Sequence, residues 1–299
     1  MNDTLYTKQL EQHVTMLEEA LPTYLPQSDT FHEPVSGAMS YACAEGGKRI
    51  RPVLLMEFCR ICAGDVKAAL PFACAMEMIH SYSLVHDDLP CMDNSPLRRG
   101  KPSVHAAYGE DMALLAGDAL LNRAFETMLS RKSREGFEAS VVLEAASLLA
   151  DAAGIRGMVG GQVIDLRSEG QNISLETLER LQEGKTSALL TAACEMGCVL
   201  GMAGDTKRLA ARTYGRCVGL SFQIVDDILD AVSTADMLGK PVGSDEDNHK
   251  ATYVTLLGVD KARALAQERT AEAISALSVF GDEADGLRKL AQALLTRKK

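Results

Sequence analysis

The stretch His80-Ser81-Tyr82-Ser83-Leu84-Val85-His86-Asp87-Asp88-Leu89-Pro90-Cys91-Met92-Asp93 decides how the chain is read. The residues before it, 68–80, are mostly apolar and rich in Ala and Met, the pattern of a buried helix. Two adjacent carboxylates close that helix, and Pro90 perturbs its end. Neighbouring aspartates repel, and the repulsion is tolerable where a cation or water lies between them. A second cluster follows far downstream, Phe222-Gln223-Ile224-Val225-Asp226-Asp227-Ile228-Leu229-Asp230. Asp226 and Asp230 are four apart and share a helix face, which Gln223 joins. Two such clusters, each after an apolar helical run, read as two carboxylate walls facing one magnesium-diphosphate site. The alternative is that each run is a solvated helix end.

Composition narrows the class. The 299 residues are 46% apolar but only 5% aromatic, with no Trp, and Ala, Leu and Met favour helices. A net charge of −10 argues against a nucleic-acid partner, which needs a basic face. No stretch reaches the length of a membrane span, and the N-terminus lacks a signal-peptide pattern. The eight cysteines lie mostly in apolar surroundings and fit buried thiols in a reducing cytoplasm. No linker divides the chain, so a single domain over 1–299 is expected.

Cations are grouped near the acidic clusters. Gly46-Gly47-Lys48-Arg49-Ile50-Arg51-Pro52 pairs glycines, which let backbone approach a ligand, with immediate positive charge. It reads as a diphosphate grip or as a solvated basic turn. Pro52 suits the first turn of the next helix. Leu97-Arg98-Arg99-Gly100 follows the first cluster, and Arg holds phosphate oxygens bidentately. Gln162 and Asp165 share a face, and Lys185-Thr186 enter an Ala-rich helix. A helix over 4–20 is expected to stop at Leu21-Pro22, and one over 261–298 to close the chain. No stretch alternates convincingly as a strand. The fold expectation is all-α, a single large bundle of ten or more helices around a central cavity.

These motifs, in this order and spanning nearly the whole chain, resemble the trans-polyprenyl synthases, most closely bacterial farnesyl diphosphate synthases. Asp87-Asp88 with Asp93 matches the first aspartate-rich motif in its four-residue-spacer form, and Asp226-Asp227 with Asp230 the second. The resemblance implies that Lys48, Arg51, His80 and Arg99 hold isopentenyl diphosphate; for His80 a core histidine is the alternative. It implies that Arg98, Lys185, Thr186, Gln223, Lys240 and Lys250 contact the allylic diphosphate. Mg²⁺, three ions per site, would be carried by Asp87, Asp93 and Asp226, with Asp88, Asp227 and Asp230 in the same clusters as partners. The implied reaction ionises dimethylallyl or geranyl diphosphate and joins the cation to isopentenyl diphosphate; Asp87, Asp93, Arg98, Lys185, Asp226 and Lys240 are the implied catalytic set. The bound diphosphate takes the final proton. A homodimer in the cytoplasm is implied, with no nucleic acid and no membrane span.

Product length falls to Tyr82 and Ser83. Tyr82 lies five residues before Asp87, roughly 7.5 Å lower by helical rise. A bulky ring there is a candidate floor, which the resemblance links to a fifteen-carbon product. Geranylgeranyl or geranyl diphosphate synthesis is the near alternative. A class I terpene cyclase is another, disfavoured by the low aromatic content, and a silent regulatory subunit a third. Asn94-Ser95-Pro96 departs from the more acidic run usual in the family, as Val225 does from a polar residue.

Overall fold

The computed structural model describes residues 7–27, 31–44, 46–238 and 251–297, with 233–238 by backbone alone. Within these residues the chain is helical throughout, apart from turns and one two-residue hairpin. In order come α1 (Lys8–Tyr24), α2 (Glu33–Ala44), α3 (Ile50–Ile61) and α4 (Val66–Asp87). The hairpin β1 (Leu97–Arg98) and β2 (Lys101–Pro102) leads to α5 (Val104–Tyr108), α6 (Glu110–Met128), α7 (Arg131–Arg134) and α8 (Ala139–Ala153). Then follow α9 (Met158–Ser168), α10 (Leu175–Gln182), a π-helical turn (Glu183–Ser187) and α11 (Ala188–Leu200). The chain ends with α12 (Asp205–Leu238), α13 (Tyr253–Leu257), α14 (Val259–Ala276), a 3₁₀ stretch (Leu277–Ala284) and α15 (Asp285–Thr296). The all-α expectation holds.

The chain divides into two compact units. The first-cluster unit comprises Leu10–Leu149 with Met196–Met202. Its axis is α4, which packs on α6 and α3. Ala69, Phe72, Ala73, Ala75, Met76, Met78 and Ile79 are wholly buried, so the apolar run before His80 is core, as its composition demands. Asp65 caps the start of α4, accepting from the amides of Lys67 and Ala68. The second-cluster unit comprises Met1–Gln9, Ala150–Glu195 and Ala203–Lys299. Here α12 packs along α14 over a core that includes Leu178, Ile224, Val225, Ile228, Tyr253 and Val254.

Two expected helix limits move. Helix α1 continues through Pro22 to Tyr24. Proline removes one hydrogen bond, but it falls in the last turn, and Leu17, Leu21 and Leu25 are buried around it. The terminal helix breaks at the 3₁₀ stretch, where Gly281 has φ 61°. None of the eight cysteines, all within the described residues, forms a disulfide; six are buried and Cys91 is exposed. No helix among the described residues is long and apolar enough to cross a membrane.

Candidate active site

In the first-cluster unit, Asp87 is the last residue of α4 and Asp88 its C-cap. The spacer to Asp93 folds into a closed turn. The Met92 amide donates to the Leu89 carbonyl at 2.8 Å and the Asp93 amide to the Asp87 carbonyl at 2.9 Å. The four intervening residues thus return the chain to the helix end. Asn94 takes φ 48°, a conformation asparagine tolerates, and its amide donates to Leu89. The departure at this residue leaves the turn intact.

The two adjacent carboxylates have different fates. Asp88 is 2% exposed, and both its oxygens accept from Arg98, Nε at 2.6 Å and Nη2 at 2.7 Å. This bidentate pair fixes the turn and fits the role of electrostatic partner more than that of ligand. Asp87 is half-buried and Asp93 exposed.

The basic segment before α3 packs in the same unit. Arg99 lays its guanidinium on Gly46-Gly47: it donates to the Gly46 carbonyl, and a Cβ at Gly47 would meet that guanidinium at 2.6 Å. Only glycine permits this approach. Arg51 Nη1 lies 3.4 Å from His80 Nε2. Arg51 Nε and His80 Nδ1 are both buried without a hydrogen-bond partner. Such orphaned groups cost free energy unless a ligand or water meets them. Desolvation, opposed by Glu77 and aided by Arg99, brings the Arg51 guanidinium down to about 10. Desolvation, then Arg51, Arg99 and other arginines, hold the His80 imidazole well below its usual range, so the ring is neutral at pH 7. Lys48 is exposed at the start of the segment.

Below Asp87 on α4, Tyr82 is 6% exposed and meets His86 edge-on, with ring centroids 5.7 Å apart. His86 Nε2 bonds the Leu114 carbonyl at 3.0 Å, and a Cβ on Gly117 would meet that ring at 2.0 Å. The Ser83 hydroxyl donates back to the His80 carbonyl.

The second-cluster unit carries its own array. Gly161 on α9 meets Gly184 and the Lys185 amide so closely that a Cβ at Gly161 would lie 2.1 Å from Lys185 N. This backbone contact brings Lys185 Nζ to Asp165 Oδ2 at 2.6 Å. Lys185 and Thr186 sit not in a plain helix but in the π turn, a local widening often found at functional sites. Thr186 donates to Gln182 at 3.0 Å and lies 3.4 Å from Gln223. Gln223 Nε2 donates to Asp227 Oδ1 at 3.0 Å. The other Asp227 oxygen accepts from the Tyr253 amide at 2.9 Å. Burial raises the Asp227 carboxyl, against these two bonds. Asp227 thereby ties the start of α13 to α12.

Asp226 Oδ1 accepts from Arg297 Nη2 at 2.7 Å. Arg297 also donates to the Phe222 carbonyl and stacks on the Phe222 ring at 3.9 Å. The sequence reading missed Arg297, because its partners lie more than seventy residues away. It also missed Glu77, which a run of apolar neighbours conceals. Asp230 is exposed at the next turn of α12. Lys240 and Lys250 lie outside the described residues.

A hard divalent cation suits these donors. Magnesium takes oxygen ligands, commonly one or two carboxylates completed by water and substrate phosphate. Asp88 and Asp227 have both oxygens engaged, so Asp87, Asp93, Asp226 and Asp230 fit that duty better. Among the described residues no cluster of three or more such side chains is pre-gathered around an ion position.

Known proteins bear on this arrangement. The family model for polyprenyl synthetase matches residues 32–286. A dimethylallyltranstransferase of Fischerella ambigua is 41% identical, covering 99% of this chain and 90% of its own. A chloroplastic heterodimeric geranylgeranyl pyrophosphate synthase large subunit of Arabidopsis thaliana is 44% identical, over 89% of this chain and 71% of its own. The crystal structure of an FPP/GFPP synthase from Zymomonas mobilis superposes with a TM-score of 0.86 at 41% identity, covering 96% of this chain and 98% of the other. With its fold and both aspartate motifs matched along the chain, this protein belongs to the polyprenyl synthetase family and is a prenyltransferase.

Proposed function

We propose that the chain condenses isopentenyl diphosphate with dimethylallyl and then geranyl diphosphate to give farnesyl diphosphate, as one catalytic domain over 1–299. The observation that carries this reading is the paired orphan, Arg51 Nε and His80 Nδ1, beside Arg99 on its glycines. A buried, cationic, unpartnered group calls for an anion. A cyclase has no use for a second diphosphate site, whereas chain elongation requires one.

Lys48, Arg51, His80 and Arg99 hold isopentenyl diphosphate in this proposal. The neutral imidazole of His80 is free of the repulsion an imidazolium beside Arg51 would meet, and it supplies a hydrogen bond. Lys185, steadied by Asp165, meets the developing charge of the allylic diphosphate, with Thr186, Gln223, Lys240 and Lys250 contributing contacts. Arg98 acts from its pair with Asp88. Asp87, Asp93, Asp226 and Asp230 hold magnesium, which when bound neutralises diphosphate charge and favours its departure. The allylic cation has to meet the isopentenyl double bond before water does, which requires orientation and dryness. The family likeness further suggests a homodimer, and the thiols suit a reducing compartment such as the cytoplasm.

Tyr82 supports the fifteen-carbon product, being buried on α4 below Asp87. A twenty-carbon product is the second reading, favoured by relatives named geranylgeranyl pyrophosphate synthase. The test incubates purified protein with Mg²⁺, isopentenyl diphosphate and dimethylallyl diphosphate, then sizes the dephosphorylated products. A dominant fifteen-carbon alcohol is expected. A twenty-carbon alcohol would favour the second reading, and allylic diphosphate consumed to hydrocarbon without condensation would sink both.

A further inference from the structure

Glu77 lies one turn before His80 on α4 and is 2% exposed. Its Oε1 accepts from Arg49 Nη1 at 2.5 Å, and its Oε2 is buried with no hydrogen-bond partner. Arg49 is itself 4% exposed. It also donates to Glu18 at 2.7 Å and to the Cys43 carbonyl at 2.7 Å. Its backbone is left-handed, φ 49° and ψ 32°, a conformation that a long side chain adopts only where its surroundings impose it. This strained, anchored residue stands directly after Lys48 and two before Arg51.

We propose that Glu77 is a positioning residue for the diphosphate grip. Through Arg49 it holds the left-handed turn that sets Lys48 against the start of α3. Its negative charge also faces the buried cation of Arg51, keeping that side chain charged beside His80 while the site is empty. Its field on Arg51 acts in that direction. Nothing in this role touches substrate; Glu77 acts through Arg49 and Arg51. Were the pair mere core filling, a carboxylate and an arginine would be a poor choice, since apolar residues of similar volume commonly serve as well or better. The inference rests on the isopentenyl diphosphate reading of Lys48, Arg51 and His80.

Two measurements test it on the full chain. In steady-state kinetics, Glu77→Gln should raise KM for isopentenyl diphosphate about tenfold or more, with KM for the allylic substrate little changed. Glu77→Asp should recover part of the loss. Calorimetric binding of inorganic diphosphate in EDTA, where cations alone hold the anion, should weaken in parallel. Arg49→Lys keeps the charge, loses the planar fork, and should shift the same KM in the same direction; it serves if Glu77→Gln fails to fold. Equal changes in both KM values, or a fall in kcat with both KM values and diphosphate binding intact, would overturn the positioning role. Should the wild type condense nothing while its diphosphate binding still depends on Glu77, the functional reading falls and the positioning role stands.

Discussion

At Arg51, burial works against the charge that anion binding needs. Its guanidinium titrates at about 10 rather than above 12, chiefly through desolvation. An anion site loses strength when its cation discharges, so the loss comes as pH rises. Accordingly, kcat/KM for isopentenyl diphosphate should decline above pH about 10, since that ratio reports the free enzyme. The allylic substrate's profile is the internal reference; two profiles falling together would remove Arg51 as the cause. Tyr82 sets a second expectation: Tyr82→Ala should lengthen the main product, read by chromatography of the dephosphorylated alcohols. An unchanged product would mean that the ring is not the floor. Individual residues were unevenly legible. The Asp, Arg and Lys motifs declare themselves by type and spacing. Glu77 and Arg297 do not, because each acquires its partner only by long-range packing.

Helices were easier to read than their irregularities. An apolar run such as 68–80 has one plausible fate, and α4 fulfils it. The π turn leaves no mark, because Glu183–Ser187 has ordinary helical composition. What produces it is contact: Gly161 and Gly184 let two backbones touch, and the wider turn follows. Gly161→Ala should therefore be costly. The added carbon would meet backbone, which cannot swing aside as a side chain can. An overpacking loss of about 1–3 kcal/mol is expected in denaturant melts. The fall in kcat should accompany it, as Lys185 shifts from Asp165. Full stability with normal kcat would show that the helices part without consequence. Pro22 gives the opposite lesson. A proline ends a helix in most sequence readings, yet buried leucines carry α1 past it.

For the molecule as a whole, buried ion pairs tie acid stability to the fold. Glu57 is 1% exposed, bonded to His13 at 2.9 Å and to Arg60 at 3.0 Å. Burial alone would raise its carboxyl, but these bonds bring it below the ordinary 4.5. A depressed carboxyl stabilises the fold above its unfolded pKa. That stability is lost as pH falls below about 4.5 and through the lower folded value. Glu57→Gln should reduce stability at pH 7 by about 3–5 kcal/mol, the range for stripping one partner from a buried pair. It should also flatten the dependence of the melting temperature on pH between 3 and 5. A variant as steeply acid-sensitive as the wild type would place that sensitivity elsewhere. At this scale the all-α class was plain from composition. The division into two compact units was not, because neither a linker nor a change in composition marks it, and one unit borrows Met196–Met202 from the middle of the other's sequence.

The π turn also bears on how this chain tolerates change in length. A π turn houses one residue more than an α turn in the same rise, so it behaves as an insertion frozen into the helix between α10 and α11. Deleting one residue among 183–187 would restore even winding and rotate everything after it by about 100°. Leu189, Leu190 and Ala193, all buried, would then swing off the core. Random single-residue deletions should thus be far less tolerated there than in the exposed turn around Gly170, a contrast that a deletion library would expose directly.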